Sequence, residues 1–221
     1  MDDGIRVREF HEATGTEAWR VIGDGACSFF RTGSFTQSAQ LVEAIAGIAG
    51  VDDHPPSIDV RADGVTVRLL TTADDWYGMT QRDVELARRI TAAARDIGLS
   101  GDPSDVQSVL VIPGSIDAKS VMPFWQAALG YVRRPDSPDE DLVDPRDRGP
   151  AFWFEDMHEL RGDGGGAIHV AVWVPPEQGE ARMRAALEAG GRVVRDVSPS
   201  WWTLADAAGN EIDVSTALGR D

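Results

Sequence analysis

His54-Pro55-Pro56-Ser57-Ile58-Asp59-Val60-Arg61-Ala62-Asp63-Gly64-Val65-Thr66-Val67-Arg68-Leu69, followed by Met79-Thr80-Gln81-Arg82-Asp83-Val84-Glu85-Leu86-Ala87-Arg88-Arg89-Ile90, decides how the first half of the chain is read. Asp63-Gly64 is a strong turn signal between residues 58–61 and 65–70, and Val65, Val67 and Leu69 alternate with Thr66 and Arg68. That pattern predicts a hairpin with one buried face. Thr80, three residues before Asp83, approximates a capping box, and Val84, Ala87, Ile90, Ala94 and Ile97 then recur about once per turn until Gly98. A helix should therefore pack back on the hairpin. Upstream, residues 19–21 and 26–30 read as short strands. Thr36 offers a helix cap, Leu41, Ala44, Ile45 and Ile48 keep helical spacing, and Gly50 is expected to stop that helix.

The polar stretch 98–105 carries Ser100, Gly101, Asp102 and Pro103 without any period, and reads as a linker. Beyond it the chain repeats itself weakly. Residues 108–112 form an apolar run and residues 124–130 read as the end of a helix. About 60 residues later, 168–174 and 184–190 give the same strand-then-helix order, and each copy continues into short strands at 151–154 and 211–215. Two βαβββ modules are the natural reading. The expected organisation is a first domain over 1–98, a linker over 99–105 and a second domain over 106–221, with modules at about 106–160 and 166–217. The fold class is α+β: an antiparallel sheet with helices on one face, followed by the paired modules.

The 221 residues include 37 acidic and 21 basic side chains, a formal net charge of -16, so a nucleic-acid backbone or an anionic membrane surface is repelled. Cys27 is the only cysteine, which excludes an internal disulfide and suits a reducing compartment. The first residues, Met1-Asp2-Asp3-Gly4, lack the basic and apolar regions of a secretory signal, and no apolar run approaches the roughly 20 residues that span a bilayer. A cytoplasmic protein with no nucleic-acid or membrane partner is expected.

The quoted stretches resemble the pterin-4a-carbinolamine dehydratase family. In that family a His-His-Pro segment and a later histidine surround the pterin and move protons, work suited to a side chain that titrates near neutrality. An ungapped alignment on Ile58-Asp59-Val60-Arg61 puts His54 on the first family histidine, Pro55 on the second and Pro56 on the proline. The later histidine falls on Thr72 counted from the hairpin, or on Asp74 counted back from Gly78. The resemblance thus implies His54 as proton carrier, with Asp74 or Asp75 as a substitute acid if burial raises its pKa. It also puts Trp19 beside the pterin and matches Arg82-Asp83 to the Arg-Asp pair that opens the last helix. Trp76 is a further ligand-binding candidate, and the family's tendency to self-associate implies a homo-oligomer.

Residues 106–217 are similar to a glyoxalase-like (vicinal oxygen chelate) domain, whose paired modules form one curved sheet around a ligand cleft. The resemblance places His169 and Glu211 on first-strand and last-strand ligand positions of the second module, while the matching first-module positions fall on Ser108 and Ala151. Two ligands are fewer than a divalent cation needs, so no metal and no cofactor is expected. His169 and Glu211 read instead as an acid/base pair, and His158 as a loop residue. Trp153, Trp173, Trp201 and Trp202 supply flat apolar surface for an aromatic or heterocyclic small molecule. Alternation puts Ala171 and Trp173 on the face of His169, and Trp201 and Trp202 on opposite faces. Arg184, Arg192 and Arg195 allow an anionic group on the ligand. Two functions follow as expectations. One is a metal-independent lyase acting on a carbinolamine, iminium or related nitrogen heterocycle, including a condensation or cyclisation. The other is a non-catalytic binding or resistance protein, with its first domain as an oligomerisation module.

Overall fold

The computed structural model describes residues 4–23, 25–73, 76–157, 168–205 and 211–219. They divide into two compact units at Val106/Gln107.

The first unit opens with α1 (Val7–Glu12), then β1 (Arg20–Ile22), β2 (Gly25–Arg31), α2 (Phe35–Ala46), β3 (Ser57–Val60) and β4 (Gly64–Leu69). The small hairpin β5 (Thr71–Ala73) and β6 (Trp76–Gly78) leads into α3 (Gln81–Asp96) and β7 (Gly101–Asp102). The sheet runs β1-β2-β4-β3, antiparallel throughout, with β7 added beside β2. Period-two alternation on β4 buries Val65, Val67 and Leu69 against Leu41 and Ile45 of α2 and Val84, Ala87 and Ile90 of α3. At α3 the capping box forms with Thr80 as N-cap. Helix α2 starts earlier than expected: the Ser34 hydroxyl, not Thr36, accepts the Gln37 N–H. It also stops earlier, at Gly47, while Gly50 lies in the next turn at φ 77°. Residues 101–102 are not free of the sheet. Phe29 and Phe30 pair with Asp102 and Gly101, and a Cβ at Gly101 would sit 2.4 Å from Ser28 Oγ.

The second unit comprises β8 (Ser108–Ser115), α4 (Ala118–Leu129), β9 (Val132–Arg133), β10 (Asp141–Val143), β11 (Ala151–Trp153) and β12 (Glu155–Asp156), then β13 (Ile168–Trp173), α5 (Pro176–Glu188), β14 (Arg192–Val197), β15 (Trp201–Ala205) and β16 (Glu211–Ser215). The strands order as β14-β15-β16-β13-β8-β11-β10-β9, with β12 beside β8. First strands β8 and β13 meet antiparallel at the centre, and each pairs in parallel with the last strand of its own module. This is the twofold βαβββ arrangement expected from the repeat. Both helices pack on one sheet face. Met122 and Trp125 of α4 meet Leu142 and Phe152, and Met183, Ala186 and Leu187 of α5 meet Val172, Trp202, Leu204 and Val214. The side chains between those positions therefore point to the other face.

Candidate functional site

In the first unit the chain turns at Val51–Asp53, and His54 follows as the last residue of that turn. The start of α3 grips this turn twice. Arg82 Nη2 donates to the Asp53 carbonyl at 2.8 Å, and Asp83 Oδ1 lies 2.7 Å from His54 Nε2. Asp83 is fully buried, whereas the His54 side chain keeps 15% exposure. The second carboxylate oxygen, Oδ2, accepts from Thr71 Oγ1 at 2.8 Å, from the Thr80 N–H at 2.8 Å and from Thr80 Oγ1 at 2.9 Å. Burial of Asp83 favours its neutral form. Hydrogen bonds from His54, Thr71 and the Thr80 backbone, with the charge of His54, outweigh it and hold the carboxyl below the ordinary aspartate range.

An ionised carboxylate can only accept, so Nε2 of His54 carries the hydrogen and Nδ1 is the nitrogen left to exchange a proton. Among the described residues nothing hydrogen-bonds Nδ1. The arrangement is a histidine oriented by a buried carboxylate, with one ring nitrogen left open.

Trp19, expected beside a ligand, is instead core. It is 0% exposed, packs edge-on to Phe30 and donates its indole N–H to Thr91 Oγ1 at 3.0 Å. Trp76 lies over Gly4, where a Cβ would come within 2.4 Å of its ring, and its Nε1 is buried with no hydrogen-bond partner among the described residues. Thr72 pairs with Tyr77 across the small hairpin. Asp74 and Asp75 lie outside the described residues.

In the second unit the register assembles the face opposite α4 and α5. Trp173 stands opposite Ser108 on one side and Ser215 on the other, and Trp201 also stands opposite Ser215. Ala171, Asp213 and Thr203 form the next row, and Trp153 shares the face on β11. Trp202 does not: it is buried against α5, as alternation with Trp201 requires. The partner of His169 is Asp213 rather than Glu211, with Nε2 3.4 Å from Oδ2. The Asp213 hydrogen bond raises the His169 pKa most; burial opposes it, and the charges of Asp213, Glu155 and Glu211 add to the rise. Imidazolium is thus favoured above the ordinary value of about 6.5. Asp213 Oδ1 is buried without a hydrogen-bond partner among the described residues.

Sequence reasoning missed Asp213 and Glu155. Asp213 was within reach, since residues two apart on a strand share a face with Glu211. Glu155 gave no local signal, because only its pairing of β12 with Gly114 brings it near. Arg184 lies on α5, 3.8 Å from Glu180, and Arg192 and Arg195 stand on the exposed edge strand β14. His158 lies outside the described residues. No group of three or more potential metal-ligating His, Cys, Asp or Glu side chains occurs among the described residues.

Fold and site together define a two-unit α+β protein: a histidine clamped by a buried aspartate in the first unit, and a twofold strand-helix sheet in the second. Residues 5–93 match the pterin 4 alpha carbinolamine dehydratase family and residues 110–215 the glyoxalase-like domain. Two curated relatives carry provisional names as pterin-4-alpha-carbinolamine dehydratases. The protein of Paracidovorax citrulli is 34% identical over 34% of this chain and 67% of its own length, and that of Nocardia farcinica is 36% identical over 35% and 79%. A solved structure described as an NAD-dependent benzaldehyde dehydrogenase from Legionella pneumophila covers 49% of this chain and 97% of its own. Its identity is 10% and its TM-score 0.37, too loose a likeness to bear on fold or activity. The chain belongs to the pterin-4a-carbinolamine dehydratase family through its first unit and carries a glyoxalase-like domain in its second. It is a fusion of the two. No described helix is long and apolar enough to cross a membrane.

Proposed function

We propose that the protein is a lyase that dehydrates a carbinolamine on a nitrogen heterocycle, with His54 as its proton carrier. The observation that carries this reading is the 2.7 Å contact between His54 Nε2 and the buried Asp83, which leaves Nδ1 for the substrate. Protonated His54 gives its Nδ1 proton to the departing hydroxyl. The C–O bond breaks, the neighbouring nitrogen lone pair forms the C=N bond, and water leaves. The iminium N–H proton then returns to neutral Nδ1, so the imidazolium is regenerated and the net change is loss of water. Only protons move, so the reading assigns no metal to the step. Asp83 orients the ring and fixes its neutral tautomer; it does not touch substrate. A positioned acid/base of this kind supplies about 10²- to 10⁴-fold. The test is the rate of dehydration of a 4a-hydroxytetrahydropterin by the natural protein and by His54→Ala. The natural protein should exceed the uncatalysed rate and the variant should lose most of the excess; equal rates would remove His54 from the mechanism.

A second reading concerns the other unit. Trp153, Trp173 and Trp201 share the sheet face opposite the helices, together with His169, which supports a small-molecule binding face there, with or without chemistry of its own.

A further inference from the structure

The turn that carries His54 is held by its own main chain and then by α3. The Val51 N–H donates to the Ile48 carbonyl at 3.1 Å, that of Asp53 to Gly50 at 3.2 Å and that of His54 to Val51 at 3.1 Å. Val51 is buried in the core of the unit. Two carbonyls outside that internal set, those of Ala49 and Asp53, accept from arginines of α3. Arg82 Nη2 donates to Asp53 and Arg89 Nη2 to Ala49.

Arg89 follows Arg82 by seven residues, which is about two helical turns, or roughly 10 Å, along one face of α3. The turn therefore runs back along the helix and is stapled at both of its ends, with His54 and Asp83 beside the Arg82 staple. Each staple is a charge-assisted bond from a planar guanidinium to a backbone oxygen, so it fixes main chain rather than another side chain. Movement at the far staple is transmitted. Gly50 follows Ala49 and accepts from the Asp53 N–H, so a shift at Ala49 reaches His54 through the bonds inside the turn. The 2.7 Å contact of Nε2 with Asp83 tolerates little of that shift.

We infer that Arg89 is a positioning residue of the dehydratase-like site: by holding the Ala49 carbonyl it sets where the turn lies on α3, and so keeps His54 Nε2 on Asp83 and Nδ1 open to substrate. The inference rests on the reading of His54 as proton carrier. Arg89 acts through the main chain and not on the reacting atoms.

Two variants test this in the full chain. Arg89→Met keeps the aliphatic stem and removes the donor, whereas Arg89→Lys keeps a charged donor. In dehydration of a 4a-hydroxytetrahydropterin, Arg89→Met should lower kcat about tenfold or more with KM little changed, and Arg89→Lys should keep most of the natural rate. Added to His54→Gly, the Arg89→Met change should leave the imidazole-rescued rate as it was, because free imidazole reaches Asp83 without the turn. A general loss of fold would lower both rates. A second readout needs no substrate. The Nε2 proton held by Asp83 should give a low-field proton resonance that is absent from His54→Ala, retained in Arg89→Lys and lost in Arg89→Met. An unchanged kcat in Arg89→Met, or an unchanged resonance, would overturn the inference. So would an equal fall in the imidazole-rescued rate, which would put the effect on Asp83 or the fold. If the natural protein fails to speed dehydration while the resonance still depends on Arg89, the lyase reading falls and the positioning of His54 by Arg89 stands.

Discussion

Asp83 holds together the chemistry of the first unit. Four donors converge on one buried carboxylate, and one of them, His54, reaches the surface. Its pKa is lowered in the folded chain, so the stability it contributes is present above the unfolded value of about 3.9 and is lost as pH falls through the lower folded value. Asp83→Asn replaces an acceptor-only carboxylate with an amide that cannot accept at both positions. It should cost about 1–3 kcal/mol at neutral pH, with the gap to the natural protein narrowing below the ordinary aspartate range. Urea unfolding of both proteins at pH 7 and at a pH below the ordinary aspartate range checks this; a gap of the same size at both would mean that the carboxylate charge is not what matters. At this scale the sequence was informative in part. Asp83 was legible as a cap because its partner Thr80 is three residues away. Its contacts with Thr71 and His54, 12 and 29 residues distant, follow only from the folded hairpin and turn. Trp19 misled for a related reason: a tryptophan in core and one beside a ligand look alike until its N–H partner, Thr91, is known.

The elements that read most clearly were those whose period and punctuation agree. Helix α3 shows both a cap and an apolar stripe, and the β3–β4 hairpin shows both alternation and Asp63-Gly64. Gly64 has a packing reason besides the turn. A Cβ there would lie 2.2 Å from Phe29 Cζ and 2.9 Å from the Phe30 carbonyl, and the carbonyl belongs to the paired strand β2 and cannot yield cheaply. Gly64→Ala should therefore destabilise the first unit by about 1–3 kcal/mol, measured as a lower midpoint in urea unfolding; an unchanged midpoint would show that β2 and β4 are not packed as tightly as described. What could not be read at this scale was short. β7 is two residues in a polar stretch with no period to detect, and β12 is two residues whose partner lies some 40 positions back. The start of α2 was off by two residues because Ser34 and Thr36 are both good caps and the apolar stripe begins after either.

At the scale of the whole molecule, the two units have separate cores. The first core gathers on Trp19, Phe30, Leu41 and Ile90, and the second unit builds one cluster under each helix. The weak internal repeat made the second architecture legible, because each copy keeps the strand-helix order and the sheet then closes on β8 and β13. The choice of Asp213 over Glu211 was not legible, since both lie on one face and only the side-chain geometry selects between them. Activity should depend on the first unit through His54, and the most direct test is chemical rescue in the full chain. His54→Gly should lose about 10²- to 10⁴-fold in carbinolamine dehydration, and added imidazole should restore part of that loss by supplying the missing base beside Asp83. A His54→Gly protein that dehydrates the substrate at the natural rate without imidazole would contradict the account.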